Sequence, residues 1–404
     1  MPARKVTLLF LLLSFLISGC WDKQELEEQA YVVALGLDKG IDNMVKVTFQ
    51  IANPQVGSTD KGNAPNEPPS DTITFTAADI VSAKELANGV ITRKITFGHL
   101  RTLIVSEALA KTDLMVHILA TALRDPEMRR EINMIVSRET AVDFIHANKP
   151  KMETRPHKYY SFMQQRWRDT GHVPYATLNR YYQRVKGELF LAIYATADRY
   201  PVEPRLDEDN YKAGEIPQIG GDPVQLMGSA VIKDGKMIGS ITGEETRFAL
   251  LLRRKSLARS FIASYADPLD PKYRISVRIM KTADSQIAVD VKQDPPHIRE
   301  EIPLNVQVLS VPSLIDYEHS EENQSKLKAF LEKKLTEDSM LLVKKSQKQF
   351  RSEPFLWYIH VRKKFRSFNQ FESYDWESRF GEAKIFVTYK IKLQNFGKQS
   401  ANYH

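Results

Sequence analysis

A single cysteine, Cys20, excludes any disulfide within this chain of 404 residues. Whatever fold forms must therefore be held by non-covalent interactions. The position of that cysteine is as informative as its being alone. Arg4 and Lys5 make a positive start, an apolar run from Val6 to Ile17 follows, and Ser18 and Gly19 stand directly before Cys20. The run is about a dozen residues, whereas a helix needs roughly 20 to cross a bilayer core. It reads as the apolar region of a secretory signal, so residues 1–19 take no part in the fold.

Ile17-Ser18-Gly19-Cys20 resembles the bacterial lipobox, in which a branched residue and two small ones precede a lipidated cysteine. A peptidase needs small side chains beside the scissile bond, and acyl transfer needs a thiol. The expectation is cleavage between Gly19 and Cys20, with lipid carried on Cys20 at the outer face of a membrane. Two or more acyl chains on one residue give stable anchoring where a single chain gives marginal binding.

Losing Arg4 and Lys5 with the signal lowers the formal charge of +7 by two. That mild excess suits an anionic membrane surface and falls short of the basic stripe of a nucleic-acid binder. With 42% hydrophobic and 26% charged residues, the chain has the composition of a folded globular protein. Its length favours two or three domains.

Hydrophobic periodicity predicts mixed α/β architecture and does not separate parallel from mixed sheets. Tyr31–Leu37 and Met44–Ile51 read as a hairpin turning at Asp38-Lys39-Gly40. Ile80, Ala83, Leu86, Ala87 and Val90 follow helical spacing, as do Leu114, Ile118, Leu119, Ala122 and Leu123. Leu100–Val105 and Ile132–Val136 read as strands, and Thr140–Ala147 as a short helix. Residues 53–71, rich in proline and glycine, read as a mobile loop inside an N-terminal α/β domain spanning 20–200. The proline-rich stretch 201–223 has the composition of a linker.

Beyond it, Gly228–Ile232 and Lys236–Ile241 flank Asp234-Gly235, a strong hairpin signal. Thr242 with Glu245 forms a capping-box pattern ahead of Phe248–Leu252. This hairpin and helix read as a small middle domain, 224–268. A C-terminal α/β domain, 269–397, follows. It should hold Tyr273–Met280 and Gln286–Val291 as a strand pair, Ile302–Val308 as a third strand, a long helix over 321–349, and a closing strand from Ile385 to Leu393.

Catalytic patterns are missing from the sequence: no HExxH, G-x-S-x-G, Walker A or dinucleotide glycine motif, and no zinc-type cysteine spacing. No two of the nine histidines lie three or four residues apart. No catalytic residue, metal ligand or cofactor is therefore assigned. His99, beside Gly98, reads as a turn or packing residue. Glu244-Glu245 and Glu300-Glu301 read as helix-start or surface charges, because adjacent side chains diverge. Arg247, Arg253, Arg254, Lys255 and Arg259 read as a solvated helix face, with lipid headgroups or an acidic partner as the functional alternative. The aromatic residues from Phe355 to Phe380 read as core.

The order of several segments resembles one family. Cys20-Trp21-Asp22-Lys23-Gln24-Glu25-Leu26, Val32–Asp38, Phe97–Glu107 and Leu123–Arg130 are similar to the N-terminal half of the Ger(x)C lipoproteins, the C subunits of GerA-type spore germinant receptors. Gly228–Val231, Gly239, Thr242 and Glu245–Leu252, then Pro354, Trp357 and Trp376–Phe380, resemble the rest. The resemblance implies three α/β domains, a lipid on Cys20, and assembly with two polytopic membrane subunits of A and B type on the outer side of the spore inner membrane. It implies a non-enzymatic role in nutrient-triggered germination and leaves open whether this subunit touches the nutrient. A lipid-anchored solute-binding protein of a transporter is the rival reading, with Gly220-Gly221 as a hinge. A surface hydrolase is a third, which the missing motifs disfavour.

Overall fold

The structure, a computed structural model, describes residues 28–53, 68–185, 187–197, 202–203, 210–255 and 260–394. Gly19, Cys20 and Arg259, with residues 54–67 of the expected loop, lie outside the described residues. The chain forms a nine-stranded and a five-stranded sheet, each with its own apolar core.

The first sheet contains β1 (Gln29–Lys39), β2 (Val45–Ala52), β3 (Ser70–Ala77), β4 (Lys94–Thr96), β5 (Thr102–Ser106), β6 (Asn133–Ser137), β7 (Phe190–Thr196), β8 (Gln225–Lys233) and β9 (Lys236–Ile241). Its order is β3-β2-β1-β5-β6-β7-β8-β9, with β4 beside the start of β1. The centre, β1-β5-β6-β7, is parallel, and antiparallel pairs flank it on both sides. Parallel strands are covered on both faces and so carry unbroken apolar runs. Every residue of β5, β6 and β7 is accordingly buried.

Among the described residues, six helices belong to this layer: α1 (Ile80–Asn88), α2 (Glu107–Ala110), α3 (Leu114–Ala122), α4 (Ala141–Ala147), α5 (Pro156–Thr170) and α6 (Leu178–Gln183). In α1, Ile80, Ala83 and Ala87 are buried, whereas Leu86 and Val90 of the predicted stripe face solvent. The apolar face is thus narrower than the spacing suggests. The hairpin turn also falls later than Asp38-Lys39-Gly40. Asp38 stays in β1, where its carboxylate accepts the amides of Ala141 (2.7 Å) and Val142 (3.1 Å) at the start of α4. Gly36 lets that helix approach, since a Cβ there would lie 3.0 Å from Ile145 and 3.2 Å from Ala141.

The second sheet holds β10 (Phe261–Ala266), β11 (Arg274–Lys281), β12 (Gln286–Asp290), β13 (His297–Ser310) and β14 (Lys384–Gln394). The predicted pairing of β11 with β12 does not form. Both pair with β13 instead, β12 along residues 297–301 and β11 along 304–310, while β14 runs parallel to its other edge. Strand periodicity identifies strands without naming their neighbours. Pro303 falls at the break between β12 and β11, where a missing N–H costs no bond on that edge.

Helices α7 (Gly243–Leu251), α8 (Glu321–Lys345), α9 (Tyr358–Arg362), α10 (Phe368–Tyr374) and α11 (Trp376–Phe380) complete the fold. Leu327, Leu331, Leu335, Ser339, Leu342 and Val343 make the buried stripe of α8. Ser339 and Tyr389 of β14 share a 2.6 Å hydroxyl hydrogen bond within it. A five-residue π-turn, Ser346–Phe350, ends the helix.

The segment expected as a middle domain is shared between the two layers. β8 and β9 are hydrogen-bonded into the first sheet, whereas Phe248, Ala249, Leu251 and Leu252 pack in the second core. Likewise, 201–223 connects β7 and β8, antiparallel neighbours in one sheet, and not two separate bodies. Composition registers a break in regular structure but not where the chain goes afterwards.

Candidate functional site: the seam between the layers

Several enclosed charged side chains gather where α7 bridges the two sheets. Its start is the predicted capping box. Thr242 Oγ1 accepts from the Glu245 amide at 3.1 Å, and Glu245 accepts from the Thr242 amide at 2.9 Å. Lys345 of α8 reaches both oxygens of Glu245 at 2.8 Å.

The basic segment that follows is not a solvated face. Arg247 is 4% exposed. It donates to the carbonyls of Thr170 at the end of α5 (2.9 Å) and Ile262 in β10 (3.0 Å), meets His172 Nε2 at 3.1 Å, and lies over the Phe261 ring. Burial, with the Arg247 charge beside it, pushes His172 down to about 3, so the ring is neutral and accepts at Nε2. Arg253 is also buried and donates to Pro354 O at 3.1 Å. Among the described members of the cluster, only Arg254 and Lys255 are exposed as expected.

Lys281 of β11 donates to Leu251 O (2.7 Å), Arg253 O (2.6 Å) and Ser285 Oγ (2.6 Å). A cation on the last carbonyls of α7 satisfies acceptors that the helix leaves open and meets its negative dipole end. Glu300, 2% exposed, accepts from Trp357 Nε1 at 2.7 Å. Burial raises the Glu300 pKa and lowers that of Lys281, each charge partly offsetting the penalty on the other. Glu353 accepts the amides of Phe355 (2.6 Å) and Tyr358 (2.7 Å) at the start of α9, and burial pushes it up to about 8.

Sequence reasoning places Glu300 at the surface and does not single out Lys281, Glu353 or His172. A signal for Glu300 exists. Ile298, Glu300, Ile302, Leu304, Val306 and Val308 alternate on one face of β13, so extending the period backward from Ile302 puts Glu300 inside. Glu301 points outward as expected.

Next to this seam lies a cleft of about 520 Å³, lined by Glu188, Glu353, Tyr358, Phe368, Phe371 and Trp376 among others. Carboxylates beside aromatic faces hold cations, and here the chain supplies its own, with Arg362 over Phe368. Of the nine C-terminal aromatics, Phe355, Trp357, Trp376 and Phe380 are buried, Tyr358, Phe365, Phe371 and Tyr374 are half-buried against that core, and Phe368 is 56% exposed. His99 is exposed and sits edge-on to Tyr31 at 4.7 Å. Among the described residues, no group of three or more His, Cys, Asp or Glu is placed to hold a metal, and no helix is long and apolar enough to cross a membrane.

The seam joins the two sheets through enclosed, hydrogen-bonded side chains, and the family matches to known proteins divide ahead of it, between β7 and β8. Residues 22–195 match the spore germination protein N-terminal domain, and residues 227–397 match the spore germination B3/GerAC-like C-terminal domain. The chain belongs to the Ger(x)C family. Spore germination protein B3 of Bacillus subtilis (strain 168) is 20% identical over 403 residues, covering 98% of each chain. Spore germination protein KC of the same organism is 30% identical over 142 residues, a match spanning 35% of each chain. A crystal structure of the GerBC protein shares the fold, with a TM-score of 0.52 at 17% identity, covering 88% of this chain and 96% of that one. The mixed α/β architecture is thus that of the Ger(x)C family, whose members are spore germination proteins.

Proposed function

We propose that the chain is the lipid-anchored, non-enzymatic subunit of a spore germinant receptor complex, needed for nutrient-triggered germination. The observation that carries this reading is the match of both halves, in order, to the two domains of the family. In this reading Cys20 carries the lipid after cleavage behind Gly19. It holds the folded body on the outer side of the spore inner membrane, beside two polytopic subunits. A seam of buried, hydrogen-bonded charges supports a body that transmits or docks rather than one that turns over a substrate.

Tagged purification from gently solubilised spore membranes, followed by mass spectrometry, tests the assembly. Two multi-pass proteins should be recovered in comparable amounts; an ABC-type permease in their place would transfer the reading to solute delivery. Cys20→Ala should release the protein from washed membranes and weaken or abolish the nutrient response. Full retention and full germination in that variant would remove the anchor from the account.

A further inference from the structure

Parallel strands β1, β4, β5 and β6 all begin at one end of the first sheet. The residues leading into them bring together exposed Lys94, His99, Arg101, Arg129 and Arg130. Exposed His157 and half-buried Lys158 of α5 join them. Their fields overlap. His99 is held below the ordinary histidine range by partial burial and then by Arg101 and Arg129, and His157 by partial burial and then by Lys158 and Arg155. The nearby acids offset only part of this. Glu127 is tied to Lys84 and the Phe97 amide, and Glu153 to Arg155, which leaves Glu28 and Glu131 exposed.

We propose that this end of the sheet, with Arg101, Arg129 and Lys158 around His99 and His157, is the face that docks on an anionic lipid surface. Charge complementarity is the first support, since each basic residue near such a surface contributes about 1 kcal/mol. Chain length is the second. Gln29, at this same end of β1, follows Cys20 by nine residues, a reach of about 30 Å at full extension. The opposite end of β1 lies a further 10 residues along the strand, about 35 Å away. The direction of approach rests on the anchored reading above; the charge does not.

Two experiments separate the face from the anchor. In the first, the chain from residue 20 with Cys20→Ser, which carries no lipid, is titrated with phosphatidylglycerol-containing vesicles. Arg101→Gln/Arg129→Gln should weaken its partitioning roughly 30-fold, from two charges at about 1 kcal/mol each. Unchanged partitioning, or equal binding to pure phosphatidylcholine, overturns the proposal. In the second, the lipidated chain is reconstituted in the same vesicles with a fluorophore on Val90→Cys, exposed just ahead of β4, or on Asp42→Cys at the far hairpin. Quenching by spin-labelled lipid should be several-fold greater at position 90. Equal quenching at both overturns the face even where co-sedimentation shows the anchor intact. Loss of co-sedimentation counts against the anchor, and the first experiment then decides the face by itself.

Discussion

The indole N–H of Trp357 donates a 2.7 Å hydrogen bond to Glu300, joining the start of α9 to the first part of β13, beside the second core. Both groups are enclosed, and the Lys281 charge bears on the same carboxylate. An enclosed carboxylate costs free energy unless its acceptors are engaged. Trp357→Phe keeps most of the ring volume and deletes the donor. It should lower unfolding free energy by about 2 kcal/mol, with further loss from the altered packing. A urea unfolding curve checks this; an unchanged midpoint would mean that Glu300 is satisfied without the indole.

Glu353 predicts a pH dependence. Its folded-state pKa is raised from 4.5 to about 8, so the folded chain holds a proton that the unfolded chain has released. The stability this contributes is complete below about pH 4.5 and is lost as pH rises through about 8. Glu353→Gln, neutral at every pH, should flatten that decline while lowering stability overall, because its amide satisfies one backbone N–H less well. Urea midpoints of both proteins between pH 5 and 8.5 provide the test; parallel curves would show that Glu353 does not titrate in this range.

Arg247 should matter for cooperativity as well as stability. It ties the end of α5 in the first layer to β10 in the second through Thr170 O and Ile262 O. Arg247→Met retains the stem over Phe261 and leaves those carbonyls unserved, at about 1–3 kcal/mol for each enclosed acceptor. Calorimetry should show a lower first transition and a wider separation between the unfolding of the two layers. A single transition at the original temperature would contradict the joint.

Gly228 is required by its backbone. Its φ is +75°, and a Cβ there would stand 2.3 Å from the Ile241 carbonyl oxygen on β9. Gly228→Ala combines left-handed strain with a clash against backbone that cannot rotate away, and should cost about 3 kcal/mol or more. Thermal unfolding measures it. Gly220→Ala, with φ +78° but open space around it, should cost only about 1 kcal/mol and isolates the strain.

Features that depend on neighbours in sequence are legible from the sequence by itself. The β8–β9 turn has positive φ at both Asp234 and Gly235, as an Asp-Gly pair between apolar runs requires. The Thr242–Glu245 box forms as its spacing dictates, and the apolar runs of β5, β6 and β7 lie in the parallel centre. Each of these is set by φ preference, by a hydrogen bond across three residues, or by the burial of both strand faces. Ordered segments from Cys20 to Phe380 are also enough to indicate the Ger(x)C family.

Tertiary structure alone decides which strands meet and which charges are enclosed. β11 and β12 share one edge of β13 because a 14-residue strand can host both, a fact that neither short strand encodes. Arg247 and Arg253 sit in a segment whose composition suggests solvent. They are buried because α7 is pressed between two sheets, where free carbonyls from α5, β10 and the Pro354 loop can accept their N–H groups. Burial of a long cation depends on acceptors supplied from about 15 to 100 residues away. Local sequence reports the charge; only the packed chain supplies the partner that makes enclosing it tolerable.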